Sequence, residues 1–249
     1  MNSQMVSFFD STYLKTKEQA NISDEKDKQC VESIVLEAIE YHFKLVMIRS
    51  KHIVFAKQII ESNASNVLVG TVIDFPTGEA STQTKLKEIQ SAIELGADDI
   101  DVVINYKQFI DGGSEDIAEE VKSCTALCLD HNKTIKWIIE SAALNDNQIE
   151  TICQLIRDVV LENFGANKAQ YIFVKSSTGF FISPDSKPNG ATVSAIKIML
   201  ENASPLPVKA SGGIRNTTDF NTMVELGVKR IGTSSALAIL QGVHSNSNY

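Results

Sequence analysis

Two lysines stand at the ends of short apolar runs, and each is followed by a turn of small residues. Lys175 lies in Val174-Lys175-Ser176-Ser177-Thr178-Gly179 and Lys209 in Val208-Lys209-Ala210-Ser211-Gly212-Gly213. An amine that is buried, or set beside a second cation, loses its proton more readily and becomes a nucleophile toward carbonyls. Asp101, in Ile100-Asp101-Val102-Val103, supplies a carboxylate that can pair with such lysines or move protons. Gly179, Gly212 and Gly213 let the backbone approach a ligand, and Gly232-Thr233-Ser234-Ser235 leads into a segment whose first N–H groups could hold a phosphate. The competing interpretation is structural: the lysines only form ion pairs, and the small residues are tight turns and a helix cap.

The elements that must position these residues follow from hydrophobic periodicity. Strand-length apolar runs are expected at 6–9, 43–48, 67–75, 99–105, 134–140, 171–176, 207–210 and 229–233. Helical periodicity is expected between them, at 24–42, 51–62, 81–95, 114–130, 146–164, 191–201, 218–226 and 235–242. Helix punctuation agrees, with Ser23, Ser114, Asn145 and Thr217 near starts and Gly96, Gly165 and Gly227 just past ends. Strict alternation of strand and helix predicts an α/β fold, a single-domain (β/α)8 TIM barrel over 1–249 with a short polar tail at 243–249. An open doubly wound sheet is the other architecture, but no GxGxxG or Walker loop supports it.

In such a barrel the site lies at the carboxyl ends of the strands. Polar residues are expected there: Asp10 ending the first strand, Asp74 with its Phe75-Pro76-Thr77-Gly78 turn, Asn105, Glu140, and the segments following Lys175, Lys209 and Gly232. Strand parity turns Ile100, Val102, Ile104, Ile135, Trp137 and Ile139 toward the helices, and so Asp101, Asn105, Lys136 and Glu140 toward the interior. Asp101, Lys136, Lys175 and Lys209 are then expected to share one interior.

Composition narrows the partners. A net charge of −8 without clustered Lys/Arg argues against nucleic acid, while an anionic small substrate needs only a local site. With 43% hydrophobic residues, 13 Gly and 5 Pro, the chain is neither disordered nor collagen-like. No apolar run approaches the ~20 residues of a membrane span, and the first residues carry no signal-peptide pattern, so no membrane association and a cytoplasmic location are expected. Cys30, Cys124, Cys128 and Cys153 show neither zinc nor disulfide spacing and are expected to be reduced core thiols. His42, His52, His131 and His244 form no ligand pair, so no metal is expected. Trp137 is expected to pack between sheet and helices.

The ordered set Asp10-x-Thr12-x-Leu14-Lys15, Gly96-Ala97-Asp98-x-Ile100-Asp101-Val102-Val103-Ile104-Asn105, 174–180, 208–215 and 230–237 resembles the deoxyribose-phosphate aldolase family over about residues 8–240. The resemblance implies a class I aldolase on a (β/α)8 barrel. Its expected reaction is the reversible cleavage of 2-deoxy-D-ribose 5-phosphate to D-glyceraldehyde 3-phosphate and acetaldehyde, in deoxyribonucleoside catabolism, without metal or organic cofactor. It further implies Lys175 as the Schiff-base lysine, Lys209 as the second lysine that lowers the proton affinity of the first, and Asp101 as the acid of the proton relay. Gly179, Gly212, Gly213, Ser234 and Ser235 are implied as the phosphate cradle. Ser211 is expected among the substrate contacts, and Asp10 and Thr178 are expected to contact sugar hydroxyls or to hold the lysines. The partners are thus a phosphorylated sugar and aldehydes, and a homodimer is compatible with the family.

The chain departs from the family pattern in places. Ser176 replaces the common threonine. Met47 stands where some members carry a cysteine, so covalent trapping by aldehyde at that position is expected to be absent. Asp74 replaces a smaller residue and is expected either to alter aldehyde acceptance or to cap the next helix, and Tyr249 is expected to fold over the mouth or to belong to a disordered tail. Other functions use the same scaffold: another Schiff-base aldolase, a phosphate-binding isomerase, which needs no second lysine, and a non-catalytic sugar-phosphate binder, in which a lysine or Asp101 would have been lost. The coexistence of Lys175, Lys209 and Asp101 argues against the isomerase and the binder.

Overall fold

The computed structural model describes residues 3–183 and 190–243; His244, Tyr249 and the rest of the polar tail after Val243 lie outside the described residues. Eight parallel strands close in sequence order: β1 Phe9–Tyr13, β2 Leu45–Ile48, β3 Leu68–Ile73, β4 Asp99–Val103, β5 Thr134–Ile138, β6 Ile172–Lys175, β7 Val208–Ser211 and β8 Arg230–Thr233. The barrel is sealed where Phe9 pairs with Ile231 and Asp10 with Gly232. Each strand leads to a helix of the outer layer: α1 Asp24–Tyr41, α2 Ile53–Ser62, α3 Thr82–Glu94, α4 Ser114–Asp130, α5 Asp146–Phe164, α6 Val193–Ala203, α7 Thr217–Leu226 and α8 Ala236–Gln241. No helix among the described residues is long and apolar enough to cross a membrane.

Alternation along the strands divides the molecule into two environments. Outward residues such as Phe9, Val46, Val69, Ile100, Trp137, Val174, Val208 and Ile231 pack with the helices in one continuous apolar layer. Trp137 sits in this layer as expected, its indole N–H donating to Thr125 Oγ1 at 3.2 Å on α4. Among the inward residues, Leu45, Met47 and Val72 pack with Leu14 in a small apolar cluster. Gly70 makes this packing possible, because a Cβ there would lie 2.6 Å from Met47 Cε.

Local sequence sets the helix starts. Ser23, Ser81, Asn145, Thr192 and Asn216 each accept a hydrogen bond from the backbone N–H three residues on. Ser114 and Thr217 are the first residues of their helices, and Gly113 and Asn216 occupy the cap positions before them.

The first strand differs most from expectation. Val6–Phe9 is not a strand; Ser3–Val6 is a short helix and β1 begins at Phe9. The true strand reads Phe-Asp-Ser-Thr-Tyr, whose polar residues Asp10 and Thr12 point into the barrel, so an apolar-run criterion passes over it. Asp10 is consequently the second residue of β1 rather than its end. Asn105 is a second correction: β4 stops at Val103, and the Asn105 side chain accepts from Gln108 N, capping the helix Tyr106–Ile110. The thiols of Cys124, Cys128 and Cys153 are buried and unpaired by disulfides, and burial pushes all three up, leaving them unreactive; Cys30 is half-buried.

Candidate active site

Inside the barrel, strand parity brings together seven charged side chains from six strands. Asp101 on β4 is central. Its Oδ1 accepts from Lys136 at 2.9 Å, and its Oδ2 accepts from Lys175 at 2.9 Å and Lys209 at 2.8 Å. Lys209 also reaches Asp10 Oδ2 at 2.5 Å, and Lys136 reaches Asp99 Oδ2 at 2.7 Å. Arg230 on β8 donates from Nε to Asp10 Oδ1 at 2.7 Å and binds the same oxygen through Nη2. The sequence-derived quartet of Asp101, Lys136, Lys175 and Lys209 thus meets in one interior.

Burial opposes the charge of Asp101, yet Lys136, Lys175 and Lys209 together hold its carboxyl well below the ordinary value. Lys175 responds in the opposite sense: burial chiefly, helped by Lys209 and Lys136 and resisted by Asp101, brings its amine down to about 8. Lys136 moves upward, because Asp101, Asp99 and Asp10 outweigh its burial. The environment therefore sorts chemically identical side chains into a firm cation and an amine that is readily deprotonated.

Of the seven charged residues, only Lys175 lines a cavity of about 270 Å³ at the carboxyl end of the barrel. Thr178, Gly179, Ser211, Gly212, Gly213 and Ser234 are on its wall. Gly179, Gly212 and Gly213 all have positive φ (79°, 85° and 79°), a conformation that favours residues without a side chain in both turns. Ser235 is behind the wall, buried, with its N–H donating to Thr233 Oγ1. Asp10 is not on the wall either: fully buried, it holds Lys209 and Arg230 rather than facing the cavity. Thr12, Leu14, Ile214 and Arg215 complete much of the remaining wall.

Glu140 closes the turn after β6. Its Oε1 accepts from Ser177 Oγ at 2.6 Å and its Oε2 from Thr178 N at 3.2 Å and from the Thr178 hydroxyl. Burial pushes this carboxyl up, against the hydrogen bonds from Ser177 and Thr178. Glu140→Gln places an amide donor where one of these donors needs an acceptor, and is expected to lower stability by about 1–3 kcal/mol. Denaturant unfolding reads this; an unchanged midpoint would show that the turn does not depend on the carboxylate.

The remaining expectations resolve locally. Asp74 Oδ2 accepts from Ala80 N at 2.8 Å, immediately before the cap Ser81, so it organises the helix entry and is absent from the cavity wall. Arg49 was not anticipated: it donates to Leu14 O at 2.8 Å and Phe75 O at 3.2 Å, tying the loops after β1 and β3 together. Asp99 and Arg230 were also missed as network members. The parity that placed Asp101 inward applies equally to Asp99, two residues earlier, and that signal was available.

The sequence matches the family model described as DeoC/LacD family aldolase over residues 14–245. It is 37% identical over 238 residues to the deoxyribose-phosphate aldolase of Staphylococcus haemolyticus, covering 95% of this chain and 99% of that protein. Deoxyribose-phosphate aldolase 2 of Staphylococcus aureus (strain COL) is 37% identical over 229 residues, covering 92% of this chain and 95% of that one. Among solved structures, the tetrameric deoxyribose phosphate aldolase from Aeropyrum pernix aligns with a TM-score of 0.76 and 29% identity, over 95% of this chain and 89% of that chain. With a family match across nearly all of the barrel and relatives matched over almost their full length, this chain belongs to the DeoC/LacD family of aldolases.

Proposed function

We propose that this chain cleaves 2-deoxy-D-ribose 5-phosphate to D-glyceraldehyde 3-phosphate and acetaldehyde through a Schiff base on Lys175, in the breakdown of deoxyribonucleosides. The observation that carries the reading is that the one network residue facing the cavity is also the lysine whose amine is brought down to about 8. The names of the relatives supply the substrate.

The geometry supports the following steps. Lys175 Nζ attacks the C1 carbonyl, and loss of water from the carbinolamine leaves an iminium. A base takes the proton of the C3 hydroxyl, the C2–C3 bond breaks, and its electron pair moves to the iminium nitrogen. Glyceraldehyde 3-phosphate leaves; the enamine is then protonated at C2 and hydrolysed to acetaldehyde. Asp101, bonded to both Lys175 and Lys209 but away from the cavity wall, would accept and return these protons through water. Lys209 provides a positive field beside Lys175. The turns of Gly179 and Gly212-Gly213, with Ser234, would hold the phosphate, and Thr178 would meet a sugar hydroxyl.

Incubation with the sugar phosphate or acetaldehyde, borohydride reduction and peptide mapping test this reading. An adduct on Lys175 supports it; a folded protein that binds the sugar phosphate without forming an adduct refutes it. Adduct formation is expected to rise roughly tenfold per pH unit below about 8 and to level off above, because only the neutral amine attacks. Lys209→Leu removes a cation beside Lys175 and is expected to move that rise to higher pH, slowing turnover near neutrality by about 100-fold. A variant with the wild-type pH profile would remove Lys209 from this role.

A further inference from the structure

We infer that Arg230 is a positioning residue that completes the charge count of the barrel interior and so leaves Lys175 as the one base not required to carry a proton. The inference rests on the Schiff-base reading above and extends it to a residue outside the cavity.

The charged groups of the network that ends at Lys175 can be counted strand by strand. Asp10 comes from β1, Asp99 and Asp101 from β4, Lys136 from β5, Lys209 from β7 and Arg230 from β8. Glu140, just past β5, feels the charge of Lys175 but is held by the Ser177 and Thr178 hydroxyls, and Arg215 shares the cavity wall with Lys175; neither forms an ion pair with the network. The three carboxylates are therefore matched by Lys136, Lys209 and Arg230. A proton on Lys175 would add a positive charge that has to share Asp101 with Lys136 and Lys209, on a side chain only 4% exposed, which is unfavourable.

Arg230 differs from the lysines in two respects. Its guanidinium does not deprotonate, so its place in the count is independent of pH. Both of its contacts to Asp10 fall on Oδ1, which leaves Oδ2 to Lys209 at 2.5 Å. Lys209 then spans Asp10 and Asp101, 2.8 Å from the oxygen that Lys175 also uses. Gly232, two residues along β8, makes room for that lysine: a Cβ there would lie 3.1 Å from Lys209 Cε. Strand β8 thus supplies both the cation that occupies Asp10 and the space that Lys209 needs. Removal of Arg230 leaves three carboxylates against two cations, and a protonated Lys175 then restores neutrality.

The test is the rate of reductive trapping of acetaldehyde on Lys175 with cyanoborohydride, mapped by peptide mass between about pH 6 and about pH 10, each variant as a ratio to wild type at the same pH. Arg230→Met is expected to trap about tenfold more slowly near pH 7 and to recover as the pH rises, which corresponds to an upward displacement of about one unit. The double variant Arg230→Met/Asp10→Asn removes one charge of each sign and is expected to return the profile to the wild-type position. A purely structural role predicts a ratio that does not change with pH and a double variant worse than the single one; either result overturns the inference. If Arg230→Met does not fold, Asp10→Asn alone leaves two carboxylates against three cations, and trapping is expected to extend to lower pH than in wild type. A profile that stays in place would overturn the inference on its own. A wild-type protein that forms no adduct on Lys175 instead refutes the Schiff-base reading, and the role of Arg230 falls with it.

Discussion

Lys175→Ala is expected to reduce kcat/KM for 2-deoxyribose 5-phosphate by about 10⁴-fold or more, with no borohydride-stable adduct from either the sugar phosphate or acetaldehyde. The effect is large because no other amine can take its place. Lys136 and Lys209 are each fully buried, engaged by two carboxylates, and absent from the cavity wall. Stability should change little, or rise, because the substitution removes the group whose proton is poorly accommodated in the interior. Steady-state kinetics and a thermal melt are sufficient to check both parts. Retained turnover, or an adduct that migrates to Lys209, would show that the nucleophile has been misassigned.

Asp101→Asn is the second large effect and has a different signature. The amide keeps the volume and some hydrogen bonds but loses the charge to which three lysines are bound. Two carboxylates then face Lys136, Lys209 and Arg230, so Lys175 has still less reason to hold a proton and its adduct should persist. Proton transfer loses its carboxylate, and kcat should fall by about 10²–10³-fold with KM nearly unchanged. Loss of a buried anion that satisfies several cations should also lower stability by about 3 kcal/mol, read from denaturant unfolding. A large rise in KM with normal kcat would mean that Asp101 serves binding rather than chemistry.

Most of the barrel was legible because its construction repeats a local rule. Ile100, Val102, Ile135 and Trp137 alternate with Asp101 and Lys136, and this period of two is written along each strand without reference to the rest of the chain. Where the interior face is itself polar, the same rule loses its signal. β1 carries Asp10 and Thr12 inward and was displaced toward the apolar Val6–Phe9 for that reason. The ends of strands were read too long at Asn105 and Asp74, because their side chains bond to helix entries a few residues on.

The sequence by itself determined the alternation of strand and helix, the inward placement of Asp101 and Lys136, and the small-residue turns after Lys175 and Lys209. These depend on residue type and on spacing within one strand or turn, where sterics and hydrogen bonding act over a few residues. Tertiary structure alone decided which lysine faces the cavity, that Asp10 is taken up by Lys209 and Arg230, and that Glu140 clamps the turn at Ser177 and Thr178. Those pairings join residues far apart in the chain, 220 positions apart for Asp10 and Arg230, and they arise only when β8 closes against β1 at a particular stagger. Proton affinity inside the barrel is set by the sum of charges that closure brings together, a quantity that no single strand contains.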